Sequence, residues 1–199
     1  MAYLSQYTLS LVDARAMRMI DTYSLHRVVY DLFPLQREDR QQHSGILFVD
    51  KGGDARPRCI LILSDRSPLE PQYGKIKTAP MPEFYLDAKS YRFEIVINPV
   101  CRENSTGKLL AIRGREAIAE WFCAKAPNWG FSVREDSLLI VDTKVDRFVK
   151  GGHQVTLNKA HITGFLDVLD STLFVSSVLQ GIGRAKSFGC GLLQIVPAL

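Results

Sequence analysis

The segment FSVREDSLLIVDTKVDRFVKGGHQVTLNKAHITGFLDVLD, residues 131–170, decides the fold of the second half of the chain. Both of its arms are rich in β-branched and aromatic residues, which favour extended backbone. The glycine pair at 151 and 152 lies between the arms and can supply the positive φ angles of a tight turn. The segment therefore predicts two long strands joined at Gly151 and Gly152.

The segments on either side of this hairpin complete a known order of strands and helices. A strand is predicted at YRFEIVINP (91–99) and a helix at REAIAEWFCAKA (115–126). A second helix is predicted at STLFVSSVLQ (171–180) and a last strand at GLLQIV (191–196). The order β-α-β-β-α-β is that of a ferredoxin-like domain.

The first half of the chain begins with the same order. Apolar and polar residues alternate in YLSQYTLSL (3–11), which predicts a strand. We predict a helix that begins after Asp13 as its N-cap and reaches Phe33, where Pro34 ends it.

Two strands, GILFVD (45–50) and RCILIL (58–63), flank the turn-rich KGGDARP and predict a hairpin. The following SDRSPLEPQ (64–72) has room for only a short helical turn, and YGKIKT (73–78) predicts a fourth strand. The second helix of the ferredoxin-like order is therefore degenerate in this half.

The chain is thus predicted to be an α+β protein with two tandem ferredoxin-like (RRM-like) βαββαβ domains. The N-terminal domain spans residues 1–80 and the C-terminal domain residues 90–199. Between them, residues 81–89 form the predicted linker, because Pro80 and Pro82 interrupt the pattern.

Composition and charge exclude several classes of protein. With 46% apolar and 23% charged residues in 199, the chain has the composition of a globular protein. Apolar runs such as CILIL (59–63) are far shorter than the roughly 20 residues of a membrane span. No secretory signal pattern is visible, so we expect a cytoplasmic protein with no membrane partner. A net charge of +4 is compatible with a polyanionic partner.

No metal or cofactor site is predicted. His43, His153 and His161 lack HExxH or HxH spacing, and the acidic residues form no DxD cluster. The cysteines lack CxxC spacing, so we expect reduced and mostly buried thiols at Cys59, Cys101, Cys123 and Cys190.

The stretch GIGRAKSFGCG (181–191) combines four glycines with two cations. Glycine permits positive φ and close backbone approach, so the loop can present N–H groups to phosphates while Arg184 and Lys186 add charge. The alternative is a compact connection in which Gly181 caps the preceding helix and the other glycines serve packing. Neither GxGxxG after a strand nor GxxxxGK[ST] occurs, which disfavours nucleotide binding.

The segment DTYSLHRVVYDLFP (21–34) lies in the first predicted helix, which has two distinct faces. On a helical wheel one face carries the apolar side chains of Met17, Ile20, Leu25, Val28 and Leu32. Tyr23, His26 and Tyr30 lie on the opposite face. Tyr23 and His26 are three residues apart, so the phenol can orient the imidazole or contact the same ligand. The alternative is a surface histidine beside a surface tyrosine.

The chain resembles the CRISPR-associated repeat-processing endoribonucleases of the CasE type, within the RAMP superfamily. Four segments carry the resemblance in the family's order over nearly the full chain: YLSQYTLSL, DTYSLHRVVYDLFP, FEIVINP (93–99) and QGIGRAKSFGCGLLQI (180–195). The resemblance implies two ferredoxin-like domains and metal-free cleavage of the hairpin repeat in precursor CRISPR RNA, at the 3′ base of the stem. It maps the family histidine to His26 and the family tyrosine to Tyr23. Asp31 stands near the position where some relatives have a lysine.

The implied chemistry suits these residues, because RNA supplies its own nucleophile in the 2′-OH. His26 titrates near neutrality and can act as the acid or the base, and Tyr23 can position either His26 or the phosphate. The products are a 2′,3′-cyclic phosphate and a 5′-OH. The expected partners are the repeat hairpin, retained as mature guide RNA, and a CRISPR effector ribonucleoprotein, with a protein that is monomeric alone. The predicted RNA-binding residues are Arg27, Lys144, Arg147, Lys150, Gly181, Gly183, Arg184, Lys186, Ser187, Gly189 and Gly191.

Two other interpretations stay open. The protein can be a non-catalytic RNA-hairpin-binding subunit of a ribonucleoprotein, in which His26 only contacts RNA. It can also be a tandem ferredoxin-like module for a small ligand, which leaves the cations of the terminal loop without a role.

Overall fold

The structure, a computed structural model, describes residues 1–33, 44–53, 57–103 and 105–198. Its strands are β1 (Tyr3–Leu9), β2 (Ile46–Asp50), β3 (Arg58–Ser64), β4 (Lys75–Pro80), β5 (Ser90–Ile97), β6 (Val100–Arg102), β7 (Leu109–Ala111), β8 (Phe131–Val133), β9 (Leu139–Lys150), β10 (His153–Val168) and β11 (Gln194–Pro197). Its α-helices are α1 (Leu11–Ala16), α2 (Thr22–Tyr30), α3 (Arg115–Lys125) and α4 (Ser171–Gln180).

The N-terminal sheet has the strand order β2-β3-β1-β4, with every neighbouring pair antiparallel. Its helix-bearing face buries Tyr7 and Leu9 of β1 against Leu25, Val28 and Val29 of α2. No α-helix lies between β3 and β4, where the described chain continues without a gap. This confirms a ferredoxin-like unit with a degenerate second helix.

The C-terminal sheet has the order β11-β5-β10-β8, and β9 also pairs with β10. Helices α3 and α4 cover one face, where Phe93, Phe122, Phe131 and Phe174 are all 1% exposed or less. The element order β5-α3-β9-β10-α4-β11 is that of a second ferredoxin-like unit. The predicted α+β fold with two tandem units is confirmed.

The predicted helix from Asp13 to Phe33 is wrong, because two shorter helices occupy this region. The N-cap of α1 is Ser10, whose Oγ accepts a hydrogen bond from the Asp13 backbone N–H. Asp13 is therefore the third helical residue of a capping box. The chain leaves α1 through Arg18 at φ +49°, and Asp21 caps α2. Pro34 lies outside the described residues.

The same break explains another wrong expectation. Ile20 was predicted to share the apolar face with Leu25, yet its side chain is 87% exposed. It precedes α2 rather than belonging to it, so the helical period does not carry it to the core. Leu25, Val28 and Leu32 are buried as predicted.

The C-terminal half also differs from prediction in detail. The first arm of the predicted hairpin is interrupted, because β8 ends at Val133 and a short 3-10 helix, Glu135–Ser137, precedes β9. The second arm is continuous as β10, and the turn at Gly151–Gly152 is confirmed. A small hairpin, β6–β7, was not predicted.

The cysteine prediction is half confirmed. All four thiols are free, which agrees with reduced cysteines. Only Cys190 is fully buried, whereas Cys59 and Cys123 are partly buried and Cys101 is exposed.

The two units pack against each other. Leu47, Val49 and Leu63 from the N-terminal sheet belong to the same apolar cluster as the C-terminal core. The segment 81–89 adds buried Leu86 to that cluster through a 3-10 helix at Glu83–Leu86. The division into 1–80, 81–89 and 90–199 stays a prediction.

The segment 181–191, the glycine loop, lies at this contact between the units. Gly181 has φ +72°, and a Cβ there would lie 2.6 Å from Cδ2 of Leu47. Gly191 has φ +82°, and a Cβ there would lie 2.3 Å from the carbonyl oxygen of Ile182. The Gly191 amide donates to the Val96 carbonyl at 2.7 Å. These glycines are required by backbone shape and close packing.

We expect Gly191→Ala to destabilise the protein more than Gly152→Ala. Both glycines have φ near +80°, so both substitutions carry a left-handed strain of about 1–2 kcal/mol. No atom of the described residues lies within 4 Å of a Cβ at Gly152, whereas a Cβ at Gly191 meets backbone. Gly191→Ala should therefore lose on the order of 2 kcal/mol more in free energy of unfolding, measured by urea denaturation. Equal losses in the two variants would show that the packing at Gly191 is dispensable.

Candidate RNA-cleavage site

Helix α2 presents the candidate catalytic residues. Asp21 and Ser24 form a capping box that fixes its first turn, and Leu25 and Val28 anchor its buried face. His26 lies on the side away from these anchors, as the sequence predicts, but it is half-buried against the glycine loop rather than open to solvent.

The position of His26 is set by one hydrogen bond across the two units. Its Nδ1 lies 2.8 Å from the backbone carbonyl oxygen of Ser187. A carbonyl oxygen only accepts, so Nδ1 must carry the proton and donate. The neutral ring is therefore the Nδ1–H tautomer, and Nε2 keeps its lone pair. Nε2 is the ring atom that can accept or release a proton.

Aromatic rings surround the imidazole. The ring centroids of Tyr30, Phe188 and Tyr23 lie 4.2, 5.4 and 6.0 Å from that of His26. Phe148 of β9 packs against Phe188 at 4.9 Å and stacks with Tyr23 at 6.4 Å. The rings hold the imidazole in a partly dehydrated setting.

Burial of the imidazole lowers the pKa of His26 below its usual value. The hydrogen bond to Ser187 opposes this change, the ammonium of Lys150 adds to it, and the carboxylate of Asp31 opposes it. The net pKa is lowered, so His26 is neutral at neutral pH. A neutral imidazole is ready to accept a proton.

The glycine loop is more enclosed than its composition predicts. Gly181, Gly189 and Gly191 are buried, which favours the packing interpretation for these three residues, whereas Gly183 is exposed. Gly181 ends α4 as its C-cap, as the alternative interpretation predicts. The buried glycines shape the loop and leave other residues to face a ligand.

The two cations of the loop differ in environment. Arg184 is exposed, and its backbone bridges to Asn98 at the end of β5. Lys186 is partly buried and its Nζ donates to the carbonyl of Gln180 at 2.8 Å. Burial also lowers the pKa of Lys186. Ser187 contacts His26 through its backbone, because its carbonyl oxygen accepts the hydrogen bond from Nδ1.

The predicted cations of the long hairpin divide between two faces. Side chains alternate along a strand, so Lys144 and Lys150 lie on one face of β9 and Arg147 on the other. Lys150 lies on the His26 side, with Nζ 5.2 Å from the ring centroid of Phe188. All three residues are exposed. The guanidinium of exposed Arg27 lies 5.7 Å from the ring centroid of Tyr23.

Sequence reasoning missed three residues of the site. Phe188 lies in the glycine loop, and an aromatic residue among glycines is a signal that the sequence does contain. Phe148 and Lys159 are brought to the loop by β9 and β10, and Lys159 donates to the Phe188 carbonyl at 2.8 Å. The sequence around Lys159 gives no indication of this contact, because its partner Phe188 lies in a distant segment.

Within the described ranges, no three His, Cys, Asp or Glu side chains come together as a possible metal site. His153 and His161 lie along β10 as predicted, and His43 falls outside those ranges. No helix among the described residues has the length and apolar character to span a membrane.

Fold and site together define a tandem ferredoxin-like protein whose N-terminal helix presents a histidine to a glycine loop before the last strand. Residues 2–197 match the sequence family described as CRISPR associated protein, and the chain belongs to that family. The predicted resemblance is thereby confirmed.

Known relatives agree with this assignment over their full length. The CRISPR system Cascade subunit CasE of Escherichia coli is 26% identical over 204 residues, covering 96% of this chain and 99% of the relative. The CRISPR-associated endoribonuclease Cse3 of Thermus thermophilus is 22% identical over 212 residues, covering 98% and 100%.

Solved structures share the fold. CRISPR endoribonuclease Cse3 bound to a 19-nucleotide RNA superimposes with a TM-score of 0.84 at 21% identity, covering 98% of this chain and 99% of that one. The Cas6e protein of Escherichia coli gives 0.73 at 22% identity, covering 98% and 100%.

We expect the pKa of His26 to rise when Lys150 is replaced by glutamine. A nearby positive charge disfavours the imidazolium, so its removal favours protonation. Arg147→Gln removes the same charge from the opposite face of β9 and should leave the titration unchanged. NMR titration of the imidazole measures both variants, and a lowered pKa in Lys150→Gln would contradict the described geometry.

Proposed function

We propose that this protein is a metal-independent endoribonuclease that cleaves the hairpin repeats of precursor CRISPR RNA at the 3′ base of the stem. The products are a 2′,3′-cyclic phosphate and a 5′-OH, and the protein stays bound to the mature guide RNA. One observation carries the proposal: in a chain of this family, Nδ1 of His26 donates to a carbonyl, which leaves the lone pair on Nε2 to accept a proton.

The named activities of relatives support the substrate class. Cse3 is named an endoribonuclease, and one of its structures is described as a pre-cleavage complex with RNA. CasE is named a subunit of Cascade, and a similar chain occurs in a CRISPR RNA-guided surveillance complex. We infer that this chain likewise joins an effector ribonucleoprotein in the cytoplasm, and that it is monomeric when alone.

The reaction follows from the tautomer of His26. Nε2 accepts the proton of the 2′-OH, and the 2′-oxygen attacks the adjacent phosphorus in line with the leaving 5′-oxygen. The P–O5′ bond breaks as the new P–O2′ bond forms, and the 5′-oxygen takes a proton from water. Tyr23 stacks beside the imidazole and positions the scissile phosphate.

Cations near the aromatic rings that surround His26 stabilise the negative charge that develops on the phosphate. Lys150 lies next to Phe188, and Arg27 lies next to Tyr23. Arg184 lies on the exposed part of the glycine loop. Lys144 and Arg147 extend positive charge along the hairpin, where an RNA stem can be held by its phosphates. Gly183, which is exposed, gives the backbone close access to the RNA.

A second candidate function is RNA binding without cleavage. Two observations favour it: His26 is half-buried, and it is hydrogen-bonded to Ser187. Both are also what a histidine with a purely structural role would show. Incubation of the protein with its own repeat RNA in EDTA separates the two functions. Cleavage supports the enzyme, and tight binding without products supports the second candidate.

We expect His26→Ala to abolish cleavage while RNA affinity stays within a few-fold. Loss of a general base should lower the single-turnover rate roughly 10²-fold to 10⁴-fold. The rate is measured at saturating repeat RNA with EDTA present, and a wild-type rate in the variant would exclude His26 as the base.

A substrate control isolates the nucleophile. A repeat RNA with 2′-deoxy substitution at the scissile nucleotide should bind the wild-type protein normally and stay intact, because the attacking oxygen is gone. Cleavage of this RNA would contradict attack by the 2′-OH and require another nucleophile.

We expect Arg184→Ala to weaken RNA binding more than Lys186→Ala. Arg184 is exposed and free to contact a phosphate, whereas Lys186 already donates to Gln180. Each lost contact should lower the log–log salt slope by roughly 0.7 for single-stranded RNA. Filter binding across a salt series measures both variants, with circular dichroism to verify folding. An unchanged slope in Arg184→Ala would remove this residue from the RNA path.

A further inference from the structure

Asp146 is a buried carboxylate in β9 that the proposed reaction does not use. Its side chain is 9% exposed and contacts three polar side chains among the described residues. The hydroxyl of Thr22 donates to Oδ2 at 2.8 Å, and Nζ of Lys159 lies 2.9 Å from the same oxygen. Nζ of Lys144 lies 3.3 Å from Oδ1.

The contact with Thr22 joins the two units at the start of the catalytic helix. Thr22 is the first residue of α2, and Tyr23 follows it directly. Asp146 belongs to β9 of the C-terminal sheet. The carboxylate therefore fixes the first turn of α2 relative to the hairpin that carries Phe148 and Lys150.

The contact with Lys159 extends to the glycine loop. The side chain of Lys159 is 16% exposed, and its Nζ donates both to Asp146 and to the Phe188 carbonyl. The preceding residue, Ser187, supplies the carbonyl that accepts from His26. One ammonium thus holds the turn that determines where the imidazole proton resides.

Burying two charges costs free energy of solvation. Stabilisation of the fold alone is therefore a poor explanation for this ion pair. Burial alone raises the pKa of Asp146, but the hydrogen bond and charge of Lys159, the Thr22 hydroxyl and the charge of Lys144 together lower it. The carboxylate is ionised at neutral pH and can hold Lys159 in place. A pair with partners in both the helix and the loop is suited to fixing geometry.

We propose that the Asp146–Lys159 ion pair positions Tyr23 and His26, with Asp146 holding the first turn of α2 and Lys159 holding the turn that keeps His26 as the Nδ1–H tautomer. The effect on catalysis rests on the proposed endoribonuclease function. The effect on the tautomer is independent of it and can be measured without RNA.

The first test is NMR on histidine labelled with ¹⁵N, in which long-range ¹H–¹⁵N correlations distinguish the two tautomers. The His26 signals are assigned by their absence in His26→Gln. Wild-type protein should show Nδ1–H, and Lys159→Met should shift His26 toward Nε2–H. An unchanged tautomer in folded Lys159→Met overturns the proposal.

The second test is single-turnover cleavage at saturating repeat RNA. Lys159→Met and Asp146→Asn should each slow cleavage about 10- to 100-fold, as expected for misplaced reacting groups. A loss of RNA affinity with an unchanged saturated rate overturns the positioning role, because it marks a phosphate contact instead. If wild-type protein does not cleave, the proposed function fails while the tautomer measurement still decides this inference.

Two further variants separate positioning from stability. Asp146→Asn combined with Lys159→Met removes both buried charges, and its rate loss should fall well short of the product of the single losses, since the pair acts as a unit. Arg134→Met breaks the Arg134–Asp167 pair, which also involves β10 but lies outside the site, and should change neither tautomer nor rate. Equal slowing by Arg134→Met would show that any loss of an ion pair impairs the enzyme and overturn the proposal.

Discussion

The hydrogen bond from His26 Nδ1 to the Ser187 carbonyl depends on parts of the chain that are 161 residues apart. The donor lies on α2 of the first ferredoxin-like unit, and the acceptor lies in the glycine loop before the last strand of the second. Both units must fold and pack before the bond can form. The Nδ1–H tautomer of His26 is therefore a property of the packed pair of units and not of either one alone.

The glycines contribute to this bond indirectly. Gly181 and Gly191 leave no space for a Cβ, and their positive φ angles turn the loop so that residues 186–188 face α2. Side chains at these positions would clash with Leu47 and with the Ile182 carbonyl, so the loop could not keep this shape. Their role is to place the Ser187 carbonyl, and we propose that contact with RNA falls to exposed residues such as Arg184.

The surroundings of His26 combine dehydration with positive charge. Burial and the charge of Lys150 both disfavour the imidazolium and lower the pKa of His26, which keeps the ring neutral and able to accept a proton. In the proposed reaction the positive charge of Lys150 also attracts the phosphate, so one arrangement serves substrate binding and base strength. The ion pair of Asp146 and Lys159 connects α2, the β9–β10 hairpin and the glycine loop.

The sequence by itself determined the order of the main ferredoxin-like strands and helices, the tandem fold and the face of α2 that bears Tyr23 and His26, because periodicity and turn residues act locally. It did not predict the β6–β7 hairpin. It failed at the α1–α2 break, where Ser10 rather than Asp13 is the cap, since several side chains in that stretch can cap a helix. Only the tertiary structure decided the tautomer of His26, which face of β9 lies towards His26 and the burial of Lys159. These depend on contacts between residues far apart in sequence, and no local pattern encodes the distance between them.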